Sequence, residues 1–138
     1  MKPVIQLEPT GCGIASAAAI AGIPYARAKA LANSLDIYAD DPGLWSGTGH
    51  MRTLLRHLGV RAGATQIPFR SWETLPNLAL LAIKWHREQG KPCWHWVVFV
   101  RDAHRAYVLD PKRSLQRHVR TDFGRMKPKW YIAVRAPR

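Results

Sequence analysis

Gln6-Leu-Glu-Pro-Thr-Gly-Cys12-Gly-Ile-Ala-Ser-Ala-Ala-Ala-Ile-Ala-Gly22 decides the reading of the chain: a polar lead-in, a cysteine, and an Ala-rich apolar run closed by glycine. Residues 12–22 carry almost no polar group and no proline, and alanine is the best helix former, so the run predicts a buried helix with Cys12 at its mouth. Unused backbone N–H groups and the positive end of the helix dipole at that position favour a negatively charged, nucleophilic sulfur. Gly11 and Gly13 on either side allow a substrate carbonyl to approach the backbone. The competing reading of Cys12 as a small core residue stands until a histidine partner is found.

A partner appears downstream. Cys93-Trp-His95-Trp-Val-Val-Phe-Val100 is a run of aromatic and β-branched residues, residues 101–104 form a polar break, and Arg105-Ala-Tyr-Val-Leu-Asp110-Pro111 is a second strand stopped by proline. This is a hairpin pattern with His95 and Asp110 at its outer ends. A four-residue loop at 101–104 sets His95 opposite Asp110 on one face, and a two-residue loop makes them diagonal neighbours on the same face. An odd-length loop without a bulge would separate them.

The order Gln6, Cys12-Gly13 six residues on, His95-Trp-Val-Val, then Asp110-Pro111 resembles the papain-like cysteine peptidases of the C39 and C39-like group. The resemblance spans nearly the whole chain, including Asn33-Ser-Leu and a Gly-Thr segment ahead of a further helix. It implies a papain-like α+β fold in which N-terminal helices carrying the cysteine pack against a C-terminal antiparallel sheet carrying the histidine and aspartate. It also implies roles: Cys12 as nucleophile, His95 as general base and acid, Asp110 as the group orienting the imidazole, and Gln6 as an oxyanion-hole donor. Cleavage after a small residue such as Gly, in a leader or tail, is a further implication. Thr10-Gly11 stands where many members carry an Asp just before the cysteine, which bears on subgroup more than on chemistry.

The chemistry gives its own reasons for these residue types. An ordinary thiol is mostly protonated at neutral pH, so a histidine must hold the thiolate as an ion pair and later protonate the leaving amine. A carboxylate on the other ring nitrogen fixes the tautomer and stabilises the imidazolium. Two donors are needed for the tetrahedral oxyanion, which Gln6 and the Cys12 N–H can supply, each lowering the barrier by about 3 kcal/mol. Each residue also has a plain alternative: a turn glutamine, a half-buried strand histidine, an aspartate that ends a strand before proline.

A chain of 138 residues with 47% hydrophobic content fits one domain, residues 1–138, able to bury its own core. No apolar signal region follows Met1, and the Ala-rich helix is too short to span a bilayer, so a cytoplasmic protein is expected. Two cysteines make no disulfide framework, in keeping with a reducing compartment. Cys93 shares a strand direction with His95, leaving three roles open: a packed residue, a disulfide partner for Cys12, or a weak metal ligand. The chemistry calls for no cofactor and no metal.

Among the other elements, residues 25–33 read as a helix opened by Pro24, with Ala28, Leu31, Ala32 and Leu35 near one face. Residues 36–49 read as a loop in which Trp45 either borders the substrate cleft or anchors the loop on the core. Trp94 and Trp96, flanking His95, join Trp45, Gly11 and Gly13 as expected substrate contacts. Thr48 predicts an N-cap for a helix at 50–58 with a Met51, Leu54, Leu55, Leu58 stripe, closed by Gly59; His50 and His57 read as solvated helix residues. Residues 60–68 read as a short strand. Residues 77–90 are compatible with helix or strand, and a strand at 78–85 would complete a sheet beside His95. Residues 127–135 supply a last strand.

The formal net charge is +12, and residues 101–138 hold eleven Lys or Arg against Asp102, Asp110 and Asp122. No recognition helix or RNA-binding motif accompanies these cations, so only nonspecific nucleic-acid affinity is expected. Two functional classes remain: a cysteine peptidase acting on a peptide or protein, and a catalytically silent relative binding a peptide or nucleic acid through its basic face.

Overall fold

The Ala-rich run is helical because nothing in it competes with the backbone and its whole circumference is apolar. In the computed structural model, which describes residues 1–135, it forms α1 (Cys12–Ala21), buried from Gly13 through Ile20. Gly22 ends it in the left-handed region at φ 71°, and the N–H of Ile23 closes back onto the Ala18 carbonyl at 3.1 Å. Helix α2 (Tyr25–Ser34) buries Tyr25, Ala28 and Ala32 against the same core, with Leu31 and Leu35 half-buried at its margin. Helix α3 (Gly49–His57) buries Met51, Leu54 and Leu55, the stripe legible in its sequence. Thr48 occupies the N-cap position of α3 without capping it: its hydroxyl instead accepts from Arg52 Nη1 at 2.7 Å. Gly59 follows at φ 78°.

The rest is an antiparallel sheet. Its strands are β1 (Arg61–Ala62), β2 (Ile67–Pro68), β3 (Leu78–Glu88), β4 (Lys91–Arg101), β5 (Ala106–Leu109), β6 (Val119–Arg120) and β7 (Pro128–Arg135). They run in the order β1-β7-β3-β4-β5-β6, with β2 also pairing with β7. The described residues are therefore α+β, three helices against seven strands, and the expected strand at 60–68 is two short ones. No helix among the described residues is long and apolar enough to cross a membrane.

Both faces of the central strands are covered. Leu80, Ala82, Trp96, Val98 and Val100 share one cluster with the helices, while Ala79, Leu81, Ile83, Val97 and Phe99 share another with Leu75, Val108 and Met126. A strand buried on both faces has no polar alternation, which is why residues 77–90 could be read either way. The strand extends past Trp85 to Glu88 and turns through Gln89 and Gly90, both at positive φ (51° and 79°), a two-residue turn suited to the twist of a hairpin. A register shift between Ile83 and His86, with Lys84 at φ 53°, places a bulge next to His95 and increases the local twist there.

Between β4 and β5, Arg101 pairs with Ala106 and Val98 with Leu109. The connecting loop is residues 102–105, one position later than its composition suggests. Asp102 explains the difference: its Oδ1 accepts the N–H groups of His104 and Arg105 at 2.8 and 2.9 Å and folds the loop around itself. The loop keeps an even length, so His95 and Asp110 stay on one face as diagonal neighbours.

Candidate active site

Cys12 is the first residue of α1, and no side chain caps the helix in front of it. Its sulfur accepts the backbone N–H of Trp96 at 3.5 Å, which ties the helix mouth to β4 one residue after His95. The Nε2 of His95 lies 2.7 Å from Oδ1 of Asp110. With Nε2 held by the carboxylate, Nδ1 is the ring nitrogen left for the sulfur. Three residues from a helix start, a strand and the turn after the next strand are thus assembled into one group.

The electrostatics follow from burial and pairing. His95 is 18% exposed and Asp110 only 1%. Burial opposes charge on the ring, but the hydrogen bonds to Asp110 and Cys12 and the electrostatic pull of the same two groups outweigh it and raise His95 to about 9. Burial likewise opposes charge on Asp110. The His95 bond and charge, the Lys112 N–H on Oδ1 at 3.0 Å and the Arg120 guanidinium on Oδ2 at 2.8 Å outweigh that, holding the carboxyl well below the usual carboxylate range. Asp110 is also fixed through its backbone: its N–H donates to the His118 carbonyl at 2.8 Å, and His118 Nδ1 lies 2.9 Å from the Asp110 carbonyl oxygen.

The Gln6 side chain is held within the lead-in to the cysteine. It is buried, its Nε2 donates to the carbonyls of Glu8 and Pro9 at 2.9 Å each, and its Oε1 is buried without a partner. Both amide hydrogens are engaged inside the segment that leads to Cys12, and Gln6 does not line the cleft. Glu8 in turn is gripped by Tyr25 and Lys29 of α2, and the Gly11 N–H donates to the Glu8 carbonyl at 3.0 Å. The lead-in to the cysteine is therefore a cross-braced loop.

The glycines divide. Gly13 lines the cleft and allows close packing, since a Cβ there would lie 2.7 Å from Met51 Sδ. Gly11 does not line it; a Cβ there would overlap the Tyr25 hydroxyl, so its requirement is steric room.

A cleft of about 250 Å³ opens in front of Cys12 and His95. Trp45, Trp94 and Trp96 all contribute to its wall, as do Ile37, Tyr38 and Leu44. Trp45 lies on the cleft and not in the core: its Nε1 donates to the Ala39 carbonyl of its own loop at 3.2 Å, and the residue is 38% exposed. Trp94 meets Trp96 and Trp130 edge-on at 5.6 and 4.8 Å.

His50, read as a solvated helix residue, lines the cleft as well, and burial lowers its pKa against a weaker opposing pull from Asp41. His86 borders the cleft from the extension of β3, paired with Glu88 at 3.0 Å. Cys93 borders the same space with a free thiol, as Cys12 does. Among the described residues, no group of three or more His, Cys, Asp or Glu is placed to hold a metal ion. Arg120 has no periodic or motif signal, because the two-residue β6 leaves none, and His118 lies in the loop just before it. Compared with known proteins, the chain matches no family model and no curated protein.

Proposed function

We propose that this chain is a cysteine peptidase that hydrolyses a peptide bond through Cys12, His95 and Asp110. The observation that carries the reading is the convergence of these three side chains at the head of an apolar cleft. The order and spacing of the same residues, which resemble the C39-like papain-type peptidases, support it independently.

Asp110 accepts from His95 Nε2, leaving Nδ1 to face the sulfur. The thiolate of Cys12 attacks the scissile carbonyl, and imidazolium delivers its proton to the leaving amine as the C–N bond breaks. Water then attacks the thioester while neutral His95 takes its proton; the C–S bond breaks, the acid leaves, and the Cys12 thiolate is restored beside the His95 imidazolium. The Cys12 N–H at the uncapped helix start is one oxyanion donor. Gln6 Nε2 becomes the second when it exchanges the Glu8 or Pro9 carbonyl for the oxyanion. The tryptophan-lined cleft receives the side chains of the substrate, and a small residue at the scissile bond is what the resemblance suggests. A reducing, cytoplasmic setting suits a nucleophile of this kind.

The test uses iodoacetamide on the Cys93→Ser variant, in which Cys12 is the sole thiol. Rapid alkylation near neutral pH, slowed at least about tenfold by His95→Ala, is expected, followed by cleavage in a peptide-library digest. Equally sluggish alkylation with and without His95, and no cleavage, would leave a peptide- or nucleic-acid-binding relative as the better account.

A further inference from the structure

Asp110 is nearly inaccessible, yet its carboxylate is shared between two cations on opposite oxygens. Oδ1 accepts from His95 and from the Lys112 N–H, while Oδ2 accepts from Nη1 of Arg120 at 2.8 Å. The remaining guanidinium edge is held in turn: Nε and Nη2 donate to the two oxygens of Asp122 at 2.9 and 2.7 Å. Arg120 is thus a rigid fork, gripped behind by a half-exposed carboxylate and gripping in front the carboxylate that faces the histidine.

Resting on the peptidase reading above, we propose that Arg120 is a positioning residue whose task is to keep Asp110 ionised and aimed at His95 during the stage when the imidazole is neutral. The need arises from the cycle. While Cys12 is a thiolate and His95 an imidazolium, the ring itself supplies a cation to Asp110. Once the thioester has formed and the proton has left with the amine, His95 is neutral. A carboxylate excluded from water and facing no cation tends to take up a proton. A protonated Asp110 would offer no anion to the imidazolium that forms as His95 deprotonates the attacking water, and its hydroxyl would compete for the Nε2 tautomer. Arg120, permanently charged, prevents this. Acylation, which starts from the self-sufficient ion pair, needs Arg120 far less than deacylation does.

The two stages separate with p-nitrophenyl acetate. Attack of Cys12 on the ester carbonyl breaks the C–O bond and releases p-nitrophenolate in a burst, and hydrolysis of the acetyl-thioester sets the steady rate. In Arg120→Gln the burst rate is expected to stay within about threefold, while the steady rate falls about tenfold or more. Arg120→Lys, which restores the charge without the fork, is expected to recover part of the steady rate. Asp122→Asn, which loosens the fork from its half-exposed side and leaves the core untouched, shows the same split at smaller size and covers the case in which Arg120→Gln does not fold. Equal loss in burst and steady rate in the folded variants, or no loss in either, would overturn the proposal. Absence of any Cys12-dependent release of p-nitrophenolate in the unaltered protein, burst or steady, would instead sink the peptidase reading itself.

Discussion

The backbone N–H of Gln6 donates to the carbonyl of Pro111 at 3.0 Å, so the segment that delivers Cys12 is fastened to the residue immediately after Asp110. Cys12 and Asp110, nearly a hundred positions apart in sequence, are thereby referenced to one another through the main chain. The Gln6 side chain adds to the same brace through the Glu8 and Pro9 carbonyls.

Replacing that side chain therefore has two separable effects. Gln6→Ala removes two part-buried hydrogen bonds to backbone carbonyls and is expected to cost about 1–3 kcal/mol of stability, read as a lowered urea midpoint with unchanged slope. If the amide also swings to the oxyanion, the cleavage rate falls a further 10²–10³-fold. Gln6→Glu cannot donate to the two carbonyls and should be at least as unstable. A Gln6→Ala protein as stable as the original would refute the bracing role.

Removing Asp110's charge tests the orienting role directly. Asp110→Asn is expected to keep secondary structure by circular dichroism and lose at least about 10²-fold in cleavage, with a loss of iodoacetamide reactivity at Cys12 no larger than that of His95→Ala, since the ring loses its anion and its preferred tautomer. Unchanged rates in the variant would remove Asp110 from the mechanism.

Much of this arrangement is legible in the chain because its key intervals survive folding. The Ala-rich run marks a helix start, and the parity of the hairpin keeps 95 and 110 on one face whether the loop is 101–104 or, as observed, 102–105. Asp102 moves the loop through local hydrogen bonds that hydrophobic periodicity does not register. Residues 77–90 resist reading because both faces of β3 are covered, erasing the alternation that identifies a strand. Arg120, His50 and His86 are invisible for another reason: each reaches the site through tertiary placement, on a two-residue strand, at the start of α3 and on the hairpin extension. Gln6 has the right interval, but interval alone does not say where an amide's hydrogens go.

Gly13 offers a test of the packing that brings α1 onto α3 and β4. A methyl group there meets Met51 Sδ at 2.7 Å and Trp96 Cδ1 at 3.3 Å, and Met51 is fully buried. Gly13→Ala is expected to destabilise by about 1–3 kcal/mol through overpacking despite alanine's better helix propensity. Met51→Ala alone costs about 2–5 kcal/mol as a cavity, and the double variant should cost clearly less than the two combined, because each change relieves the other. Additive losses by chemical denaturation would show that the contact does not constrain the helix.

Trp45 is half outside the cleft wall, so it should matter for a peptide and not for a small reagent. Trp45→Ala is expected to raise KM for a cleavable peptide several-fold, leaving iodoacetamide alkylation of Cys12 within about twofold. A parallel drop in both would mean that the loop carrying Trp45 shapes the reacting groups themselves.

The pH dependence of stability carries a definite sign. His95 in the folded chain is raised from 6.5 to about 9, so its contribution is fully present below about pH 6.5 and is lost as pH climbs through about 9. Asp110 is depressed, so its share is present above the ordinary carboxylate pKa of about 3.9 and disappears only on strong acidification. Between these limits the protein is expected to be most stable from about pH 5 to 7, with the alkaline side losing on the order of 2 kcal/mol by pH 10. Cys12→Ser removes one of the groups that raise His95 and should shift the alkaline loss to lower pH. Asp110→Asn removes the other and should flatten both limbs. Urea unfolding at half-unit pH steps measures this, and an alkaline limb identical in the original chain and Asp110→Asn would mean that the pair is not coupled in solution as it is in the fold.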